Sequence, residues 1–279
     1  MTSFRGNNLA RLALPVGTVW LLTDVAEAKG RQELTLQQAP EGLEALRETA
    51  RVQSVESSNR IEGVTVAPER LLPLVAGNAK PRDRSEEEIQ GYRRALDLIH
   101  AEARDLAITP DLLKRLHGII QEGSGDAGEW KRVDNEIIEL RPGGPPVVRF
   151  RPVAVADTPA AVEELCLSYR YTVNQEAAPP LLAVAALVFD FLCIHPFRDG
   201  NGRISRLLTL LALYQHGYEA GRYVSLERLI EESREEYYDV LRRSSEGWHE
   251  GRHDLFPWLN YFFLVILKRA YRELESRAV

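Results

Sequence analysis

Over most of its length the chain places apolar residues three and four apart, the period of an amphipathic helix. Residues 41–58 (EGLEALRETARVQSVESS) keep that spacing with strong helix formers between the apolar positions. Gly63, just after Ile61-Glu62, suits the left-handed residue that follows a helix end. A short helix is predicted over 66–75, and Gly77 to Arg84, which contains Pro81, reads as a polar connection. Ser85, with Glu88 three residues on, reads as a capping box opening a helix that runs to Ala103. Thr109-Pro110 opens the next, to about Gln121. Further helices are expected over 157–174, 181–194, 203–216, 225–244 and 254–276. One segment breaks the pattern. Val133–Leu140 and Val147–Val153 are strand-like and flank Pro142-Gly143-Gly144-Pro145-Pro146, which predicts a hairpin. The expected fold class is therefore all-α with one β-hairpin, either an edge decoration or a flap over a site.

Composition narrows the function. With 279 residues, 44% hydrophobic and 27% charged, the chain has enough material for one large domain or two small ones. A net charge of −6 argues against a surface coated for nucleic acid. Cys166 and Cys193 are the only cysteines, which excludes a disulfide framework and a cysteine-rich zinc module. The most apolar run, Leu181–Ile194, holds one polar residue, Asp190, and is shorter than the roughly 20 residues a membrane helix needs. It reads as a buried helix. Leu12–Leu22, followed by Ala26-Glu27-Ala28, has the outline of a secretion signal, but Pro15, Gly17 and Glu27 all speak against it. The expectation is a cytoplasmic protein with no nucleic-acid and no membrane partner.

Two motifs look like chemistry without the context it needs. Gly123-Ser124-Gly125-Asp126-Ala127-Gly128 has the glycine spacing of a dinucleotide site, but a helix precedes it and a hairpin follows, which predicts a loop. His249-Glu250-Gly251-Arg252-His253 has the spacing of a zinc metalloprotease, a remote alternative that requires a stable helix. Gly247 and Gly251 and the cap-like Asp254 predict a loop here too.

The string His195-Pro196-Phe197-Arg198-Asp199-Gly200-Asn201-Gly202-Arg203-Ile204-Ser205-Arg206 is different. The apolar helix must stop near Ile194, because the residue before a proline is pushed out of helical geometry. A glycine-rich turn then opens a second helix, and such a helix start presents free N–H groups and a positive dipole to an anion. Arg203 and Arg206, three apart, are expected to face the same polyphosphate. Asp199 is a hard oxygen ligand suited to Mg²⁺, and His195 is a base that titrates near neutrality. An ordinary tight turn explains any one of these residues; no packing need explains all of them together.

This string resembles the signature of the Fic family, His-x-Phe-x-Asp/Glu-Gly-Asn-Gly-Arg-x-x-Arg, at every specified position. The resemblance implies a helical protein that transfers AMP from Mg·ATP to a Ser, Thr or Tyr hydroxyl of a target protein, the protein itself being one candidate target. It implies His195 as base and Asp199 as Mg²⁺ ligand, with Gly200, Asn201 and Gly202 cradling phosphates. Arg203 would sit on the β/γ-phosphates, Arg206 on the γ-phosphate, and Phe197 would anchor the loop. The segment after Gly128-Glu129-Trp130 corresponds to a flap that adds a strand to its target. Tyr237-Tyr238 and Trp258 resemble the stretch closing the adenine side. Upstream, Ser58-Asn59-Arg60-Ile61-Glu62-Gly63 resembles the family's inhibitory motif, implying that Ser58, Glu62 and Gly63 restrain the site through Arg206. The division expected is an N-terminal helical region, 1–105, with an inhibitory helix at about 41–63, and a catalytic core, 106–279, with a flap at about 130–153. A homodimer lies within the family's range. Three functions stay open at this point: AMP transfer, AMP removal by the same residues, and nucleotide sensing by an interaction module.

Overall fold

The computed structural model describes residues 2–38, 40–139 and 145–277. In chain order the helices are α1 (Val16–Gln38), α2 (Pro40–Ile61), α3 (Pro68–Val75), α4 (Arg84–Glu102) and α5 (Pro110–Ile120). A hairpin of β1 (Ile137–Glu139) and β2 (Val147–Phe150) follows. Then come α6 (Thr158–Asn174), α7 (Pro180–Ile194), α8 (Asn201–Gln215), α9 (Leu226–Glu232), α10 (Arg234–Ser245), α11 (Phe256–Tyr261) and α12 (Arg269–Arg277). A π-helical stretch, Phe262–Lys268, joins the last two. The fold is all-α with a two-stranded flap, as the periodicity predicted.

Helix α7 explains the architecture. It is apolar on every face, so every face must be covered; from Leu181 to Ile194 only Leu192 is not fully buried. Helices α6 and α8 pack along it, and α8 in turn meets α4 and α5. Helix α8 is buried almost throughout, arginines included. The loop joining α7 to α8 therefore springs from two immobilised core helices, which fixes its ends. Helix α2 crosses this core against α4 and α9. The antiparallel strands pair Ile138 with Val148 and Glu139 with Val147, with an irregularity next to Ile137. The hairpin tip, residues 140–144, including Pro142-Gly143-Gly144 of the expected turn, lies outside the described residues.

Several boundaries depart from the pattern reading. Helix α1 takes up the uncharged stretch from Val16 and continues to Gln38. Tertiary contacts hold it: Thr18 Oγ1 donates to Asn260 Oδ1 at 2.8 Å, and Asp24 pairs with Lys268. The cap of α4 is Asp83, whose carboxylate accepts the Glu86 N–H at 2.9 Å, so Ser85 is not the cap and Glu88 is released for another task. The expected helix 225–244 is two helices broken at Ser233, whose hydroxyl donates back to the Leu229 carbonyl at 2.8 Å. Among the described residues no helix is long and apolar enough to cross a membrane.

Candidate active site

Helix α7 ends where Pro196 requires. His195 follows in the left-handed region, φ 50° and ψ 61°, one of two non-glycine residues there among those described. Such a conformation costs energy outside glycine and persists only where its surroundings enforce it. Gly200, φ 80°, then turns the chain into α8. Between them Phe197 is fully buried and stacks on His117 of α5, centroids 3.9 Å apart and planes 6° from parallel. Asn201 closes the loop by accepting the Phe197 N–H at 2.9 Å and donating to the Phe197 carbonyl at 2.8 Å. His117 adds a second tie: its Nε2–H donates to the Asp199 carbonyl at 3.2 Å, while Nδ1 accepts the Gly128 N–H at 2.9 Å. Phe197 is thus an anchor with its own socket.

The loop opens into a cavity of about 300 Å³. His195, Asp199, Gly200, Asn201, Gly202, Arg206 and Tyr238 line it, and so do Glu62 from the end of α2 and Tyr237 from α10. Ile137 and Phe150 of the hairpin also line it, and Phe189, Leu192, Cys193 and Leu241 supply apolar lining. The His195 ring donates Nδ1–H to the Leu192 carbonyl at 3.2 Å, which leaves Nε2 as the proton acceptor. Burial, helped by the nearby Lys131 ammonium and opposed by that hydrogen bond, pushes its pKa down to about 4. The ring is therefore a neutral base at physiological pH.

The two arginines of α8 do not converge on one point. Arg206, buried, donates Nε to Ser58 Oγ at 2.8 Å and Nη2 to the Ser58 carbonyl at 2.9 Å and to Glu62 Oε1 at 2.7 Å. Burial works against its charge, but the Glu62 carboxylate, together with the Tyr237 and Tyr92 side chains, leaves its pKa raised. Arg203 is turned away from the cavity. It forms an ion pair with Glu88 of α4, reaches Asp199 Oδ2 at 3.2 Å and lies 3.5 Å from Asn59 Oδ1. Where both guanidiniums are expected to face one anion, the structure shows Glu88, freed from capping, paired with Arg203, which also reaches Asp199 at the cavity mouth.

Ser58 and Glu62 are one helical turn apart and so face the same way. Gly63, φ 80°, ends the helix there, and its N–H donates to the Arg60 carbonyl at 3.0 Å. Glu62 approaches the start of α8 so closely that a Cβ at Gly202 would overlap its carboxylate. A side chain at 202 would thus push the Glu62 carboxylate from its present position.

Asp199 is held on both oxygens. Oδ1 accepts the Gly200 N–H at 2.6 Å, and Oδ2 accepts Gln121 Nε2 at 3.0 Å besides Arg203. Its side chain is 66% exposed at the cavity mouth. Among the described residues no group of three or more His, Cys, Asp or Glu could enclose a metal ion. A lone exposed carboxylate beside a glycine-rich helix start matches Mg²⁺, which keeps its waters and takes few ligands from protein. The residues present fit that ion.

Other candidates fall away. His249 and His253 lie in turns and are engaged separately: His249 stacks on Phe150 and donates to the Arg151 carbonyl at 2.7 Å, whereas His253 stacks on Phe189 and lies 3.0 Å from Ser3 Oγ. They do not share a metal position. Gly123–Gly128 is a loop. Trp258 does not reach the cavity; it is buried behind Phe189 and donates its indole N–H to the Ala185 carbonyl at 2.8 Å. Sequence reasoning missed His117, Gln121, Glu88 and Arg149, which lie far from the loop in sequence and carry no local pattern. Arg149 lines the cavity from β2 and donates to the Tyr238 carbonyl, tying flap to α10.

Residues 107–213 match the model of the Fic/DOC family. A Fido domain-containing protein of Dictyostelium discoideum is 31% identical over 99 residues, 34% of this chain and 65% of that protein. A protein adenylyltransferase Fic of Culex quinquefasciatus is 27% identical over 233 residues, 79% of this chain and 41% of that one. The chain thus spans less than two thirds of either relative. The crystal structure of a Fic domain-containing signaling protein from Bacteroides thetaiotaomicron superposes with a TM-score of 0.76 at 21% identity, covering 91% of this chain and 96% of that one, a likeness of fold. The match to the Fic/DOC family thus covers residues 107–213, which include the whole loop from His195 to Arg206.

Proposed function

We propose that this protein is an adenylyltransferase that moves AMP from Mg·ATP to a Ser, Thr or Tyr hydroxyl of a target protein, and that Glu62 holds it inactive. The observation that carries the reading is the meeting, in one cavity, of a neutral His195, a glycine-rich helix start and an arginine already occupied by a carboxylate. The name of the Culex relative supports the same activity. On this reading residues 1–105, with the inhibitory helix, restrain a catalytic core spanning 106–279.

The chemistry follows from positions. The start of α8 at Gly200-Asn201-Gly202 takes phosphate oxygens on its N–H groups and dipole. The apolar lining takes the base, and the target strand pairs with the hairpin beside it. His195 Nε2 accepts the hydroxyl proton as the oxygen attacks the α-phosphorus; the bond to the β-phosphate oxygen breaks and pyrophosphate leaves. Asp199 would hold Mg²⁺, which when bound neutralises phosphate charge. Arg206 orients the γ-phosphate once Glu62 gives way. Until then a carboxylate stands where that phosphate belongs, and like charge excludes it. Keeping the site closed 99% of the time needs only ~2.7 kcal/mol, within reach of a charged pair of this kind.

The test is intact-protein mass after incubation with Mg·ATP for the wild type, Glu62→Gly and Glu62→Gly/His195→Ala. A gain of one AMP in Glu62→Gly alone is the expected result. Because Glu62 and His195 share the cavity, a water held between them serves AMP removal equally well. ATP binding without mass gain in any form supports that second reading, and an AMP-modified protein is then the substrate to offer.

A further inference from the structure

The root of the flap lies directly under the His195 loop. Lys131 and Asn135 stand between Trp130 and the start of β1, and together they bind four consecutive carbonyls of that loop. Lys131 Nζ donates to the Ile194 carbonyl at 3.2 Å, and the Lys131 backbone N–H to the Pro196 carbonyl at 2.9 Å. Asn135 Nδ2 reaches the His195 carbonyl at 3.4 Å and the Phe197 carbonyl at 3.2 Å. Lys131 Nζ also donates to Asn135 Oδ1 at 2.9 Å, which joins the two side chains into one strut.

Three features set this strut apart from ordinary loop packing. The carbonyls it satisfies belong to the end of α7 and the left-handed turn after it, groups a helix end leaves without partners. Lys131 is 4% exposed, yet no carboxylate forms an ion pair with it among the described residues. Burial lowers the Lys131 pKa to about 8, opposed by the nearby Asp134 carboxylate, and the ammonium directs its hydrogen bonds to a carbonyl at a helix C-terminus, where the dipole favours a cation. Finally, it sits beside the one ring whose neutrality the chemistry needs. Burial is the main cause of the low His195 pKa; of the charged groups that bear on it, Lys131 opposes protonation and Glu62 and Asp199 favour it.

We propose that Lys131 and Asn135 are positioning residues for the catalytic base: through the four loop carbonyls they hold His195 in its left-handed backbone conformation, with the Lys131 ammonium beside its ring. This rests on the reading of His195 as the base, so the test includes a measurement that needs no turnover. Lys131→Met and Lys131→Arg are made in the otherwise intact chain and in Glu62→Gly. His195 is titrated by NMR with labelled imidazole, and transfer kinetics are recorded against pH.

In Lys131→Met the His195 titration is expected to move up from about 4 toward the ordinary histidine value. In the Glu62→Gly background kcat is expected to fall by about 10²-fold while KM for ATP stays within a small factor, the signature of a misplaced base. Lys131→Arg restores the low titration point and part of the rate. Asn135→Ala, which removes two of the loop hydrogen bonds and no charge, is expected to lower kcat without moving the titration. An unchanged His195 titration in Lys131→Met overturns the proposal, as does a parallel loss of ATP affinity and rate. Absence of transfer in Glu62→Gly itself with the titration shifted as stated counts against AMP transfer and leaves the strut standing.

Discussion

Helix α8 carries two buried arginines three residues apart, and each is neutralised by a carboxylate from another helix. The pairs differ in what holds the acid. Glu88 sits within α4, is itself nearly buried and is gripped a second time by Arg84 at 2.9 Å. Glu62 stands just past the last turn of α2, its side chain is 27% exposed, and Arg206 is its only ion-pair partner among the described residues. Composition and chemistry are the same; anchorage is not. A charge pair built into two core helices is part of the scaffold, whereas the same pair made at a helix end can be undone by moving one turn of chain. On the proposed reading of Glu62, that difference separates a structural ion pair from a brake.

The sharpest way to break the comparison is to remove each acid in turn. Glu88→Ala leaves the buried Arg203 with only the exposed Asp199 carboxylate as counter-ion, and breaking a buried pair costs on the order of 3–5 kcal/mol. Urea unfolding is expected to show that loss, with transfer activity falling alongside. Glu62→Gly should cost clearly less stability and raise transfer by about 10²-fold, the amount released by opening a site closed 99% of the time. Equal destabilisation by the two substitutions would erase the distinction.

A smaller effect sharpens it. Gly202→Ala places a methyl group on the Glu62 carboxylate. The substitution should therefore be more favourable to transfer in the wild type than in Glu62→Gly, where only its cost to the phosphate site remains. A double-mutant cycle reads the coupling, and a coupling of zero would separate Gly202 from the brake.

The smallest expected effect is in acid. Burial holds His100, His117 and His195 each at about 4, so the unfolded chain binds their protons more readily. The stability they contribute is complete above about pH 6.5 and is lost as pH falls toward 4. Asp190, pushed up to about 6 by burial, gives the opposite slope between its ordinary value and that point. Three groups oppose one, so the urea midpoint is expected to fall on acidification through this window. His117→Phe, which keeps the ring stacked on Phe197, should make the fall shallower.

How much of this could be read from the chain depends on the range of the contact. The order of most helices, the hairpin and the turn from Ile194 to Gly202 follow from local rules: period, glycine placement and the constraint before Pro196. Helix α1 was hidden because its apolar residues do not gather on one face; Val16 and Trp20 are exposed, and Pro15 and Gly17 suggest a break. Ser85 is not the cap for a smaller reason: Asp83, two residues earlier, already takes the Glu86 N–H on its carboxylate and the Glu87 N–H on its carbonyl, so the helix begins before Ser85. At the site, the residues in the signature string were legible, and the structure gathers most of them around one cavity. Glu88, Gln121, His117, Lys131 and Asn135 were not, because each acts across a fold that spacing does not encode. Arg203 shows the limit most plainly. Helical spacing put it beside Arg206, and a carboxylate 115 residues away turned it elsewhere.

The central claim is that the α-phosphorus of ATP is transferred and that Glu62 prevents it. The most direct measurement follows covalent label in Glu62→Gly and wild-type protein incubated with ATP labelled at either the α- or the γ-phosphorus. The account predicts incorporation of the α-label in Glu62→Gly, little in the wild type, and none of the γ-label in either. Incorporation of the γ-label, or equal α-label in both proteins, would contradict it.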